Sequence, residues 1–185
     1  MKTLYVSDRK KWRAWLEKNF ENAKEIWLLF PHKSSCKTRV SYNDAVEEAL
    51  CFGWIDSIIR AYDKEHSAQR FSPRKPKSNY SQPNRERLQW LSERKMLHPS
   101  IHKTVSDILK EKFIFPTDII KAIKKSDAAW KKYQQFSDSY KRIRIAFIDA
   151  ARKRPEEFTK RLQNFIGKTE KGLLIKGFGG IDKYY

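Results

Sequence analysis

Cysteine is nearly absent from this sequence. Cys36 and Cys51 are the only two in 185 residues, too few for a disulfide scaffold and at a spacing that fits no metal motif. Both are expected as reduced thiols, with Cys51 buried as a small apolar residue. No apolar run approaches the roughly 18 residues that a membrane-spanning helix needs. The stretch from Met1 to Trp12 has neither an apolar signal core nor a small-residue cleavage site, so cytoplasmic residence is the expectation. Catalytic signatures are missing as well: no phosphate-cradling glycine loop, no Gly-x-Ser-x-Gly elbow, no paired Cys and His. His98 and His102 have the i, i+4 spacing of metal ligands. Pro99 places His98 ahead of the helix, and no third ligand stands nearby, so neither a metal nor a cofactor is expected.

Acidic residues are scarce too, 22 Asp and Glu against 40 Lys and Arg, which leaves a formal net charge of +18. The excess is not confined to one end: residues 1–91 carry 18 basic and 11 acidic side chains, residues 92–185 carry 22 and 11. Such a charge attracts polyanions without selecting among nucleic acid, anionic lipid and acidic protein. No zinc-finger spacing, RNA-binding motif or contiguous Lys/Arg block points to nucleic acid in particular.

What the chain does have is aromatic and aliphatic bulk: 39% hydrophobic and 14% aromatic residues, enough for a core. Trp12, Trp15, Leu16 and Phe20 fall on one face of a helix over 8–20, capped by Ser7 or Asp8. Residues 25–30 form a short apolar run closed by Pro31 and read as a buried strand. Ser41 and Asp44 make a capping pattern for a helix over 42–52, which Gly53 stops. The chain then runs directly into a β-branched strand, 54–61, followed by a turn at 62–66 and a returning strand at 67–72. Strict alternation puts Trp54, Asp56, Ile58 and Arg60 on one face of that hairpin. It sets Asp56 opposite Ser72 and diagonal to Arg70, although a slip of one residue would turn Arg70 away. Residues 73–83 hold Pro73, Pro76 and Pro83 among Arg74, Lys75, Lys77, Ser78 and Asn79. This is a long basic surface loop, of a length that favours function.

The remainder reads as helices over 83–96 and 99–110, short helices capped by Thr117 and Asp127, and longer ones over 138–152 and 155–166. The last ends at Gly167, and a tail follows that docks or stays mobile. The fold class expected is α+β, with a small antiparallel or mixed sheet of 26–30, 54–60 and 67–72 packed on helices and a mainly helical C-terminal half.

Three stretches carry a resemblance: Ala49-Leu-Cys-Phe-Gly-Trp-Ile-Asp56, Arg70-Phe-Ser-Pro-Arg74, and Ser78 to Asn84. Together they resemble the bacterial YdeI/OmpD-associated family, also described as bacteriocin-protection proteins, with Tyr80 where that family has Trp. The match over Trp130 to Arg161 is looser. The resemblance implies an α+β region at 1–97 with the GWID and FxPR motifs, and a helical region at 98–185 packed on it as one compact unit. It further implies a role in protection against bacteriocins or cationic antimicrobial peptides and a porin-related association. It supplies no catalytic residue and no cofactor.

The residues singled out for ligand binding are Trp54, Asp56, Arg70, Arg74, Ser78 and Asn84. Asp56, beside apolar neighbours, has the surroundings that raise a carboxyl pKa; the structural alternative is an ion pair with Arg70 or Arg74 that pins the hairpin to the loop. Three functions follow as expectations. The first is protection by binding a partner, anionic by charge, since a cationic protein does not attract cationic peptides. The second is an enzyme or small-ligand binder that uses Asp56 with Arg70 and Arg74. The third is non-specific nucleic-acid binding through the basic surface.

Overall fold

The computed structural model describes residues 1–76 and 78–185, with Phe178 and Gly179 in backbone alone. Lys77 of the basic loop therefore lies outside the described residues. The chain order is β1 (Thr3–Tyr5), α1 (Arg9–Asn19), β2 (Ile26–Pro31), α2 (Tyr42–Cys51), β3 (Trp54–Ala61), β4 (His66–Pro73), α3 (Gln82–Glu93), α4 (Pro99–Lys110), α5 (Thr117–Lys124), α6 (Asp127–Gln135), α7 (Asp138–Asp149) and α8 (Pro155–Glu170). A short 3₁₀ turn spans Lys33–Ser35 and a longer one Phe178–Tyr184. The class is α+β, as expected. Contacts divide the chain into two units, residues 1–80 with 87–109 and residues 81–86 with 110–185.

The first unit is built on a mixed sheet in the order β1-β2-β4-β3, with β1 parallel to β2 and the other pairs antiparallel. β1 is a strand that three residues of sequence did not reveal. Ile26, Leu28, Phe30 and Phe71 line one face of the sheet and join the core with α1 and α2. Both helices start where a side-chain oxygen satisfies an otherwise free N–H: Asp8 accepts from Lys11 and Ser41 from Asp44. Trp12 is fully buried, stacks on Trp15 at 5.4 Å and donates its indole N–H to the Ala45 carbonyl at 3.0 Å. That bond satisfies the one polar atom a buried Trp carries and joins α1 to α2.

The β3–β4 hairpin departs from strict alternation. Asp56 lies opposite Phe71, and Ile55 opposite Ser72, one residue away from the expected register. Between Asp56 and Ile59 the pairing shifts, so that β3 carries one residue more than β4 at this point. Such a bulge reverses the faces beyond it. Ile59 then pairs with Gln69 and Arg60 with Ala68. Arg60 accordingly sits over the Trp27 ring, 5.5 Å from its centre, on the sheet face away from the core.

The second unit gathers Ile119, Ile123, Ala129, Tyr133, Tyr140, Ile145, Ile148 and Phe165 around one core. Ser126 and Ser137 cap α6 and α7, in place of the expected Asp127 for the former. Gly167 does not stop α8, which runs to Glu170; Gly172, at φ +65°, turns the chain instead. Phe147 is half exposed, with the Arg161 guanidinium 3.7 Å from its ring centre. The tail docks: the Ile175 N–H donates to the Tyr140 hydroxyl at 2.9 Å, and Tyr185 meets Tyr140 edge to face at 4.7 Å.

Candidate functional site

The site begins with the junction of α2 and β3. Gly53 takes φ +70°, a conformation costly for residues with a Cβ, and so lets the chain pass from α2, which ends at Cys51, to β3, which starts at Trp54, through only Phe52 and Gly53. Its carbonyl accepts from the Arg74 N–H at 2.9 Å, which ties the end of β4 to the same corner. Asp56, two residues into β3, faces the helices beside Phe71. There the hydroxyl of Tyr42, the first residue of α2, donates to Asp56 Oδ2 at 2.6 Å.

Burial, then the Asp56 hydrogen bond and charge, push the Tyr42 pKa up, with the charge of Arg87 opposing. Tyr42 is therefore a neutral donor at physiological pH, and Asp56 the acceptor that holds it. Among the described residues Asp56 forms no ion pair. The expected arginine partner is replaced by a phenol.

Arg74 stands close to this pair. Its guanidinium lies 3.7 Å from the centre of the Tyr80 ring, and Nη2 donates to the Asn79 carbonyl at 2.8 Å. Burial lowers its pKa, while the charges of Tyr80 and Asp56 act in the opposite direction. Nε has no hydrogen-bond partner among the described residues, and no carboxylate forms an ion pair with Arg74. A half-buried arginine with most of its N–H donors uncommitted, held over an aromatic ring, is an arrangement that suits a planar or tetrahedral anion.

The other residues singled out from sequence are placed differently. Trp54 is 1% exposed, packs edge-on to Trp15 at 5.8 Å and donates to the Phe20 carbonyl at 3.1 Å. No face of its ring is open to a ligand. Arg70 points to the opposite side of the sheet, where Nε donates to Glu25 at 2.7 Å and Nη1 reaches the Ser57 hydroxyl at 3.4 Å. Ser78 is exposed on the loop, its N–H bonded to the Lys75 carbonyl at 3.2 Å. Asn84 belongs to the first turn of α3, among the residues of the second unit. Of the six, Asp56 and Arg74 come together, and they are joined by Tyr42 and Tyr80.

Behind Tyr42 runs a buried polar seam that sequence reasoning missed. Glu47 and Glu48 on α2 are 0% and 1% exposed. Glu48 accepts from Arg9 Nε at 2.5 Å and from Arg13 Nη1 at 2.7 Å; Glu47 accepts from Arg9 Nη1 at 2.5 Å and from Asn43 Nδ2 at 2.8 Å. Asn43 Oδ1 in turn accepts from Arg87 at 3.0 and 3.2 Å. Burial works against the charge on Arg9 and Arg13, but the glutamates outweigh it and both pKa values rise. The signal was present as two adjacent glutamates inside the apolar stripe Ala45, Val46, Ala49, Leu50. Cys51 at the end of α2 is buried, and its pKa is pushed up to about 12 by that burial and by Glu48, so the thiol is not a nucleophile at neutral pH.

No group of three or more metal-ligating side chains occurs among the described residues, and none of their helices is long and apolar enough to cross a membrane. Comparison with curated proteins and with solved structures finds no match. Two family models do match. Residues 4–104, which include the GWID and FxPR stretches, match a domain of unknown function, DUF8412. Residues 112–172 match the family described as Bacteriocin-protection, YdeI or OmpD-Associated, a partial match over the C-terminal part that lies beyond the motifs which carried the resemblance. The chain thus belongs to the DUF8412 family through its first unit and carries a YdeI/OmpD-associated segment in its helical C-terminal part.

Proposed function

We propose that this protein is a cytoplasmic binding protein that contributes to protection against bacteriocins or cationic antimicrobial peptides, and that its first unit takes an anionic ligand at Arg74. The observation that carries this reading is the state of Arg74: half buried, stacked on Tyr80, and without a carboxylate partner among the described residues. The charge of Asp56 offsets the burial of this guanidinium only without direct contact, and an incoming carboxylate or phosphate supplies a contacting counter-charge. Tyr42 and Asp56 set the wall beside it and satisfy each other, which favours holding a ligand over transforming one. The net charge of +18 argues against direct capture of cationic peptides and for an anionic partner. Two unbridged cysteines fit a reducing compartment.

The test has a cellular and a molecular arm. A strain lacking the protein should be more sensitive to bacteriocins and to polymyxin, and expression of the natural protein should restore resistance while Arg74→Gln does not. Unchanged sensitivity in the deletion strain refutes the protective role. For the ligand, inorganic phosphate and citrate should raise the melting temperature of the natural protein more than that of the Arg74→Gln variant; equal shifts refute Arg74 as the anion site. Retention on DNA or RNA that falls steeply with the logarithm of salt, and persists in Arg74→Gln, would move the reading to the general basic surface.

A further inference from the structure

The second unit holds a hollow of about 360 Å³ between the α6–α7 junction and the turn after α8. That volume lies within the range of small-molecule sites. Its lining includes the apolar or aromatic Phe136, Leu174 and Tyr185 and the polar Lys132, Gln135 and Ser137. Among the described side chains of the lining, Lys132 is cationic and none is acidic. Lys132 forms no ion pair among the described residues, and its stem passes along Gly172, where a Cβ would stand 3.6 Å from its Cδ and Cε.

Two further features add positive charge or dipole at this end of the unit, against the charge of Asp182, which acts on Tyr185. Ser137 is the N-cap of the twelve-residue α7, so the hollow lies at the positive end of that helix. Asp138, the acidic residue of that turn, is 80% exposed and bridged to Lys141 at 3.3 Å. Behind the Tyr185 wall stands Arg144, 8% exposed, its guanidinium carbon 5.4 Å from the Tyr185 ring centre; it donates to the Tyr185 hydroxyl and the Ile175 carbonyl, and its Nε has no partner. At the rim Leu173 and Leu174 remain about half exposed. An aromatic and aliphatic wall under a lone ammonium suits a molecule with an apolar body and one negative charge.

We propose that this hollow binds a small carboxylate with an aromatic or short alkyl body, its charge on Lys132 and its body against Phe136, Leu174 and Tyr185. The site is independent of Arg74. The probes are 4-phenylbutyrate and its neutral amide, titrated into the full chain and followed by amide chemical shifts. The carboxylate should move resonances of residues 132–137 and 172–174. The amide should bind about tenfold more weakly or worse, the loss expected when a charge-assisted contact is removed. Lys132→Met should weaken the carboxylate by a similar factor, and Leu174→Asp, at an exposed position, should do the same through charge. Arg74→Gln should change nothing here, which separates this site from the one in the first unit. Equal binding of acid and amide, undiminished binding to Lys132→Met, or no shift in these residues at millimolar probe overturns the proposal.

Discussion

Replacing Glu48 with Gln tests whether the buried seam behind Tyr42 holds α1 against α2. The substitution preserves shape and removes the charge on which two arginines converge. Glu48 is 1% exposed, and its oxygens lie 2.5 Å from Arg9 Nε and 2.7 Å from Arg13 Nη1. The new amide presents a donor to one of these guanidinium groups. Breaking a buried ion pair by removing one partner costs about 3–5 kcal/mol when the other is left buried and uncompensated. Here the discount is readable from exposure. The Arg9 and Arg13 side chains are 25% and 35% exposed, Arg9 keeps Glu47 and Asp44, and Arg13 keeps the Met96 carbonyl. The expected loss is therefore about 2–3 kcal/mol.

Urea unfolding followed by tryptophan fluorescence reads this loss selectively, because Trp12, Trp15, Trp27, Trp54 and Trp90 belong to the first unit and only Trp130 to the second. The midpoint should fall with the slope unchanged. A loss below about 0.5 kcal/mol, the ordinary range of surface substitutions, would refute the claim that the seam fastens α2.

Three further outcomes follow from the same geometry. Gly53→Ala should cost about 1–2 kcal/mol, since φ +70° is strained for Ala and its Cβ would stand 2.8 Å from Cδ1 at the end of the Ile101 side chain; an unaltered urea midpoint would contradict it. Tyr42→Phe should cost about 1–2 kcal/mol by leaving Asp56 without its donor, and the double variant Tyr42→Phe with Asp56→Ala should recover part of that loss; strictly additive losses would show that the two groups are uncoupled. In the second unit, hydrogen bonds from Arg152 and Arg161 hold the Asp118 and Glu157 carboxyls below their ordinary values of 3.8 and 4.5. A depressed folded-state pKa contributes stability that is present above the unfolded value and lost as pH falls through the folded one. Circular dichroism of urea unfolding should therefore show a stable midpoint above about pH 5 and a fall below about pH 4, smaller in Asp118→Asn. A midpoint that rises on acidification would contradict this assignment.

Local chemistry made much of the fold legible. The Asp8 and Ser41 caps, the Trp12–Leu16 stripe and Gly53 are each decided by neighbours within four residues, and these elements came out where their spacing put them. β1 is three residues long, and its existence depends on pairing with β2, which no local pattern reports. Gly167 was misleading because a glycine inside a helix costs only about 1 kcal/mol, too little by itself to end α8, which runs on to Glu170. The site was half legible. Asp56 and Arg74 belong to one corner because Gly53 and the strand ends put them there. Tyr42 and Tyr80 were passed over because a tyrosine at a helix start or in a loop carries no mark of its partner. Arg70 was misplaced by a single residue of register, which turns a side chain through the sheet.

That single residue also explains how one strand serves two faces. Up to Asp56, β3 alternates so that Trp54 and Asp56 look toward the helices, one closing the core and the other meeting Tyr42. Continued without interruption, the pattern would pair Arg60 with Ser67 and send it to the same side as Asp56, away from Trp27. The extra residue between Asp56 and Ile59 reverses it, and Arg60 covers the Trp27 ring on the far face. Arg70, on that face as well, is taken up by Glu25, whose pKa the Arg70 and Trp27 hydrogen bonds lower. Both strand arginines are thereby occupied away from Asp56. Arg74, just past the end of β4, is left as the cation beside Asp56 with donors to spare, which is why the anionic ligand is assigned to it and not to the arginine that alternation alone would have chosen.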